Sequence, residues 1–214
     1  MDDSQNGELK VVLLGETFVG KTCLINAYIK NNFQENLDNT ISASSYCKII
    51  EEGDKKYFLK LWDTAGQEKY RCLNKIFIKD SQIVILVYDI TRKNTLKELE
   101  YWFEYSENCL GKGSAIYGVL ANKIDLFDKE NEIKQHYEEL GLEIDYASAK
   151  EGKDFANKIG ALFCETSAKD KIIGFPKFMI KLVEKYNTEK KIIKLPTIKI
   201  KNKDLKQNKK KICC

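Results

Sequence analysis

No stretch of this 214-residue chain approaches the roughly 18–20 consecutive apolar residues that a membrane-crossing helix needs, so a helical span is not expected. Histidine is nearly missing: His136 stands alone and reads as a solvent-exposed side chain rather than a metal ligand. Arginine is limited to Arg71 and Arg92. Five of the cysteines, Cys23, Cys47, Cys72, Cys109 and Cys164, lack the spacing of a metal site or disulfide framework. They read as small buried apolar residues kept reduced. The opening MDDSQNGELK is acidic and polar, without the pattern of a signal peptide, and a cytosolic protein is expected. Nothing repeats along the chain apart from the tripeptide Ser-Ala-Lys, at 148–150 and again at 167–169.

What is present suits one globular domain. Apolar residues make up 43% and charged residues 32%, proportions ordinary for a soluble protein of a length that buries a substantial core. The net charge of +4 averages two unlike parts. From Asn187 to Cys214 ten lysines face only Glu189 and Asp204, a net of +8, which leaves −4 for residues 1–186. Short β-rich runs at Leu9–Leu14, Ala43–Glu51, Tyr57–Trp62, Ile83–Asp89, Ala115–Ala121 and Ala161–Cys164 alternate with helical patterns, as in parallel strands joined by crossover helices. Glu52-Gly53-Asp54 reads as a hairpin turn, which makes one edge pair antiparallel.

The expected fold is α/β: a three-layer domain over residues 9–186, with a six-stranded, mostly parallel sheet and helices on both faces. Thr95-Leu-Lys-Glu98 has the form of a capping box, with Leu96, Leu99 and Phe103 as a core stripe behind it. Residues 1–8 read as a flexible start. Residues 187–214 read as an unfolded basic tether, since the chain from Lys190 has no sustained period and contains Pro196.

Chemistry enters directly after the first strand. Gly15-Glu-Thr-Phe-Val-Gly20-Lys21-Thr22 matches G-x-x-x-x-G-K-[ST] between a strand and a helix, the context that the motif needs. Its glycines let the backbone, with Thr17, Phe18 and Val19 between them, wrap a phosphate at the positive end of the helix that Cys23 continues. Lys21 would bridge the outer phosphates and the Thr22 hydroxyl would hold Mg²⁺. After the third strand, Asp63-Thr64-Ala65-Gly66 sets a carboxylate for Mg²⁺ and an amide, that of Gly66, for a terminal phosphate. The chain is expected to bind a nucleoside triphosphate.

The string LWDTAGQEKYR, with GETFVGKT before it, Asn122-Lys-Ile-Asp125 and Glu165-Thr-Ser-Ala-Lys169 after it, and the terminal Cys213-Cys214, closely resembles the Rab branch of Ras-like small GTPases. The resemblance implies a P-loop G domain that binds GTP or GDP with Mg²⁺ and hydrolyses GTP slowly while regulating vesicle traffic. Asn122, Lys123 and Asp125 resemble the guanine-reading motif. A carboxylate at Asp125 would accept hydrogen bonds that adenine cannot donate, and the Lys123 stem would cover the base. Phe33 looks like the aromatic at the side of the base. Thr40 looks like the switch threonine that joins Mg²⁺ when the third phosphate is present, and Gln67 like the residue that orients the attacking water. Neither arginine occupies a position where the family supplies one in cis, so an activating protein is implied. An ATP-using P-loop kinase fails on Asn122 and Asp125.

Several positions depart from the family. Thr17 and Phe18 stand where Rab proteins usually carry Ser or Gly and then Gly or Ala; the phenyl group is bulky there, and Thr17 is expected to point toward the place where a partner's catalytic side chain would enter. Ser42-Ala-Ser-Ser45 and Leu37 replace the residues that effectors commonly touch. These changes keep open a nucleotide-binding membrane scaffold with little turnover, or an atypical Rho-like regulator. Raw spacing from Asp125 favours Ser148-Ala-Lys150 as the guanine loop, but the flanking sequence favours Ser167, Ala168 and Lys169. Phe163-Cys-Glu-Thr166 supplies the strand before this second copy. Phe175, Phe178, Met179, Leu182 and Tyr186 supply a closing helix after it. Ser148-Ala-Lys-Glu151 then reads as a capping box. The extra length falls at about 127–147, similar to the insert of Rho-branch GTPases.

The tail Lys209-Lys-Lys211 before Cys213-Cys214 resembles the doubly geranylgeranylated end of Rab proteins, and two lipid chains with basic residues give the stable anchoring that one chain does not. The resemblance implies an exchange factor, an activating protein, a GDP-dissociation inhibitor, a prenylation escort and effectors. It also implies a monomer without nucleic acid, peripheral on the cytosolic face of intracellular membranes.

Overall fold

Ile83–Asp89 and Ile116–Asn122 are buried at every position, a pattern available only to strands covered on both faces. They form the centre of the computed structural model, which describes residues 7–30, 44–52, 55–64, 71–126, 145–169 and 174–194. The strands are β1 Gly7–Leu14, β2 Ser44–Glu52, β3 Lys55–Asp63, β4 Ile83–Asp89, β5 Ile116–Asn122 and β6 Leu162–Thr166. They make one sheet in the order β2-β3-β1-β4-β5-β6. Every pairing is parallel except β2 with β3, so the expected architecture is the one observed. The hairpin turn at 53–54 lies outside the described residues.

Alternation along the strands divides the core in two. Val11, Leu13, Ile83, Ile85 and Val87 face α1 (Lys21–Lys30) and the closing helix. Val12, Leu14, Val84, Leu86 and Tyr88 face the other way, toward α2 (Arg71–Ile78), α3 (Lys93–Lys97), α4 (Leu99–Leu110) and α5 (Ala149–Lys158). The closing helix, α6 (Phe175–Lys194), buries the expected stripe of Phe175, Phe178, Met179 and Leu182. It comes so close to β5 that a Cβ on Gly118 would lie 2.7 Å from the Phe178 ring.

Three expectations change. The last helix runs to Lys194, past the boundary set at 186. Glu, Lys and Ile sustain helix there, and Lys185 meets Glu189 one turn on at 3.7 Å. Thr95-Leu-Lys-Glu98 caps nothing: α3 begins before Thr95, and Glu98 makes no side-chain cap bond to α4. The Thr95 hydroxyl instead accepts from the Asp89 amide at 3.0 Å and donates to Arg92 O at 2.7 Å, holding the turn after β4. Of the cysteines expected to be buried, Cys23, Cys109 and Cys164 are half-buried and Cys47 is exposed. Cys47 belongs to β2, the edge strand, whose alternate side chains point to solvent.

Ser148 behaves as its spacing predicts. Its hydroxyl accepts from the Glu151 amide at 3.2 Å, and the Glu151 carboxylate accepts from the Ser148 amide at 2.9 Å, a complete capping box on α5. Lys93, then the Ser148 amide and hydroxyl, hold the Glu151 carboxyl down to about 2. Ser148→Ala should lower stability by about 1 kcal/mol, read as a fall of about 2–4 °C in Tm. Because the folded pKa of Glu151 lies below its ordinary value of 4.5, its contribution is full above about pH 4.5 and disappears toward pH 2. The stability gap between wild type and Glu151→Gln should therefore close over that window in an acid titration.

Candidate functional site

The parallel strands β1, β3, β4, β5 and β6 end along one edge of the sheet, where open α/β folds place their ligands. Most of the described site residues gather on this edge. Gly15 leaves β1 at φ +146°, and a Cβ there would lie 2.2 Å from the Val87 carbonyl. Gly20, at φ +96°, would bring a Cβ to 2.4 Å from Asn122 Nδ2. Only glycine lets the loop press this closely on β4 and β5. The loop then enters α1 at Lys21, so its amides and the helix N-terminus converge as an anion cradle.

Lys21 is buried, and its ammonium donates to the carbonyls of Gly15 at 2.8 Å and Glu16 at 2.9 Å. Burial lowers its pKa to about 8, against the pull of Asp63 and Glu16. Asp63, at the end of β3, is also buried, and burial pushes its carboxyl up while a hydrogen bond with Thr22 and the charge of Lys21 oppose. Its Oδ1 has no hydrogen-bond partner. A buried carboxylate oxygen without a partner, beside a threonine hydroxyl, suits a hard cation such as Mg²⁺, which takes one or two carboxylates and completes its shell with water and phosphate oxygens.

At the neighbouring end of β5, Asn122 is 1% exposed and donates from Nδ2 to Val19 O at 2.7 Å. This ties the phosphate loop to the segment that carries Lys123 and Asp125. Lys123 sits at φ +68° and places Nζ 2.8 Å from Asp89 Oδ2. Asp125, in the short 3₁₀ turn Ile124–Leu126, accepts at Oδ1 from Ser167 Oγ at 2.6 Å. The Ser167 hydroxyl accepts in turn from the Lys169 amide at 3.2 Å, and Ala168 is buried between them. The second Ser-Ala-Lys copy thus meets Asp125 across 42 positions of chain, while the first starts a helix. Cys23 is half-buried on α1, its thiol pushed up by burial. Phe18 is 62% exposed at φ +64°. Phe33, Thr40, Gly66, Gln67, Cys213 and Cys214 lie outside the described residues.

Two contacts at this edge escaped the sequence reading. The Trp102 indole, buried on α4, donates to Glu16 Oε1 at 3.1 Å. Asp89, at the end of β4, accepts at Oδ1 from Thr91 and at Oδ2 from Arg92 and Lys123. Burial pushes the Asp89 carboxyl up, but Lys123 and Thr91 outweigh it and hold the group below its ordinary range. A carboxylate closing an otherwise apolar buried strand was the available signal.

The model of the Ras family matches residues 10–188. The chain is 34% identical to Ras-related protein Rab-22A of Mus musculus over 165 residues, 77% of each chain. It is 36% identical to Ras-related protein Rab-17 of Homo sapiens over 166 residues, 78% of this chain and 71% of the relative. With Ras-related protein Rab-31 of Rattus norvegicus it shares 34% over 166 residues, 77% and 76% of the two. The likeness runs through the strands that carry the loop at 15–22 and the Asp125–Ser167 pair, and the chain belongs to the Ras family: it is a Rab-like small GTPase that binds GTP and GDP with Mg²⁺, hydrolyses GTP and switches steps of vesicle traffic.

Proposed function

We propose that the switch works through the residues gathered at the carboxyl edge of the sheet, with the guanine base on Asp125 and the phosphates on the loop at 15–22. The Asp125–Ser167 hydrogen bond carries this reading, because it orients the carboxylate and brings the second Ser-Ala-Lys beside it. Asp125 accepts from the base, the Ala168 amide donates to the base carbonyl, and Asn122, Lys123, Ser167, Lys169 and Phe33 frame the ring. Gly15, Thr17, Phe18, Val19, Gly20 and Cys23 lend the backbone that surrounds the phosphates. Lys21 leaves the carbonyls of Gly15 and Glu16 for phosphate oxygens and takes up the charge that grows there during cleavage. Thr22, Thr40 and Asp63 would hold Mg²⁺, which when bound offsets phosphate charge. Gln67 orients the attacking water, and Thr40 and Gly66 read the third phosphate.

The insert at about 127–147 resembles that of Rho-branch GTPases and would offer surface to a partner. Its return leg is stitched to the turn after β4, where the Lys93 amide donates to Asp145 O at 2.7 Å and the Ala147 amide to Ile90 O at 2.8 Å. Cys213 and Cys214 carry geranylgeranyl groups that, with the lysines before them, hold the monomer on the cytosolic face of an intracellular membrane. No helix among the described residues is long and apolar enough to cross one. Exchange factor, activating protein, GDP-dissociation inhibitor and prenylation escort complete the cycle.

Three measurements test this reading. Rejection of ATP on the order of 10⁴-fold is expected in a competition assay, and Asp125→Ala should collapse it to about tenfold; ATP displacing GTP equally from wild type would sink the base assignment. Gln67→Leu should slow single-turnover GTP cleavage about 10²-fold while GTP stays bound, since a misplaced water loses that much rate; an unchanged rate would remove Gln67 from the mechanism. An amino-terminally tagged Cys213→Ser/Cys214→Ser chain should move from the membrane fraction to the soluble fraction; retention on membranes would reject the lipid anchor.

A further inference from the structure

Phe18 is the one non-glycine residue of the phosphate loop in the left-handed region, at φ +64°. That conformation costs a residue with a side chain free energy that glycine does not incur. The ring is exposed, so core packing does not hold it there. Something else keeps the loop in shape, and two side chains bracket the strained residue. On its carboxyl side, Asn122 Nδ2 grips Val19 O at 2.7 Å. On its amino side, Arg92 Nη2 grips Thr17 O at 2.9 Å.

The anchor of Arg92 is firm. Its Nε donates at 3.0 Å to Oδ2 of Asp89, a carboxylate only 1% exposed. Thr91 fixes the other oxygen of Asp89 through its amide at 3.0 Å and its hydroxyl at 2.7 Å. Lys123 Nζ reaches Oδ2 at 2.8 Å. The guanidinium is therefore clamped at one end to a rigid buried acid and spends its other end on a loop carbonyl. The C=O and N–H of a trans peptide point in opposite directions. Pinning Thr17 O to Arg92 thus turns the Phe18 N–H away from Arg92, and pinning Val19 O to Asn122 does the same for the Gly20 N–H.

We propose that Arg92 is a positioning residue for the nucleotide: a latch that holds the Thr17–Phe18 peptide in its strained orientation, keeps the Phe18 N–H turned toward the phosphates, and so slows nucleotide release. Arg92 does not touch the phosphates in this arrangement. It acts through Thr17 and is not an arginine finger. The inference rests on the phosphate-site reading, because only with a phosphate in the loop does the orientation of that peptide govern release. It also explains how the chain carries phenylalanine where the backbone favours glycine.

The test uses the full chain loaded with a fluorescent GDP analogue and Mg²⁺ and chased with excess unlabelled GDP. Arg92→Gln should release the analogue about five- to tenfold faster, the scale of one partly exposed charge-assisted hydrogen bond. Arg92→Lys should fall between, since one ammonium cannot serve both Asp89 and Thr17 in the geometry of the guanidinium fork. The decisive measurement is a cycle with Phe18→Gly: glycine adopts this φ freely, so the effect of Arg92→Gln should shrink to under about twofold in that background. A general structural role for Arg92 would give the same acceleration in both backgrounds and would overturn the proposal, as would a wild-type release rate in Arg92→Gln. Should the glutamine variant not fold, Arg92→Lys in the two backgrounds makes the same comparison. A wild-type chain that retains no GDP would defeat the phosphate-site reading itself, and the latch with it.

Discussion

The amide of Asn122 on the carbonyl of Val19 is the contact on which the site's geometry depends. It joins the end of the fifth strand to the loop that follows the first, across the strand lying between them. Gly20 is required because the same amide would stand 2.4 Å from any Cβ placed there. With the loop fixed at this point, Lys21 begins α1 where its ammonium can fold back over the loop carbonyls. The segment from Lys123 to Asp125 leaves β5 in register with that loop. The proposed base and phosphate sites are therefore two ends of one hydrogen-bonded unit, and their spacing is set by the sheet.

Charge at this edge is concentrated and mostly buried. Lys21, Asp63 and Asp89 all lie within the fold, and each carries a desolvation cost that it cannot escape by moving to water. Asp89 is compensated within the chain by Arg92, Lys123 and Thr91, and its carboxyl is held low. Lys21 and Asp63 are less fully compensated: one is depressed and the other raised by burial. The contrast separates a self-compensated ion cluster from the pair proposed to meet phosphate and Mg²⁺.

Much of this was legible in the sequence because local signals and global topology agreed. Six β-rich runs, the phosphate-loop pattern and the stripe from Phe175 to Leu182 each imply one arrangement, and the sheet satisfies them together. The doubled tripeptide was resolved by its neighbours: an apolar strand precedes Ser167, whereas a glutamate three residues on makes Ser148 a helix cap. Thr95 failed by the same spacing rule, since the pattern cannot reveal that a threonine hydroxyl is already taken by the turn after β4. Contacts such as Glu16 with Trp102 join positions 86 apart in the chain. Neither residue type nor local spacing encodes such a meeting; the packing of α4 creates it. The exposure of Cys47 is likewise a property of the sheet's edge and not of cysteine.

Glu16 and Trp102 have one more consequence. The chain has two tryptophans, and they stand in unlike electrostatic settings. Trp62 lies on the β3 face with the ammonium groups of Lys10 at 5.1 Å and Lys60 at 5.5 Å from its ring. Trp102 is sealed from solvent, with its indole N–H held by a phosphate-loop carboxylate. Indole emission responds to the field along the ring, so any change in the charge beside Glu16 reaches a chromophore already built into α4. Of the two indoles, Trp102 is thus the one tied to the phosphate loop, while Trp62 stands partly exposed on β3.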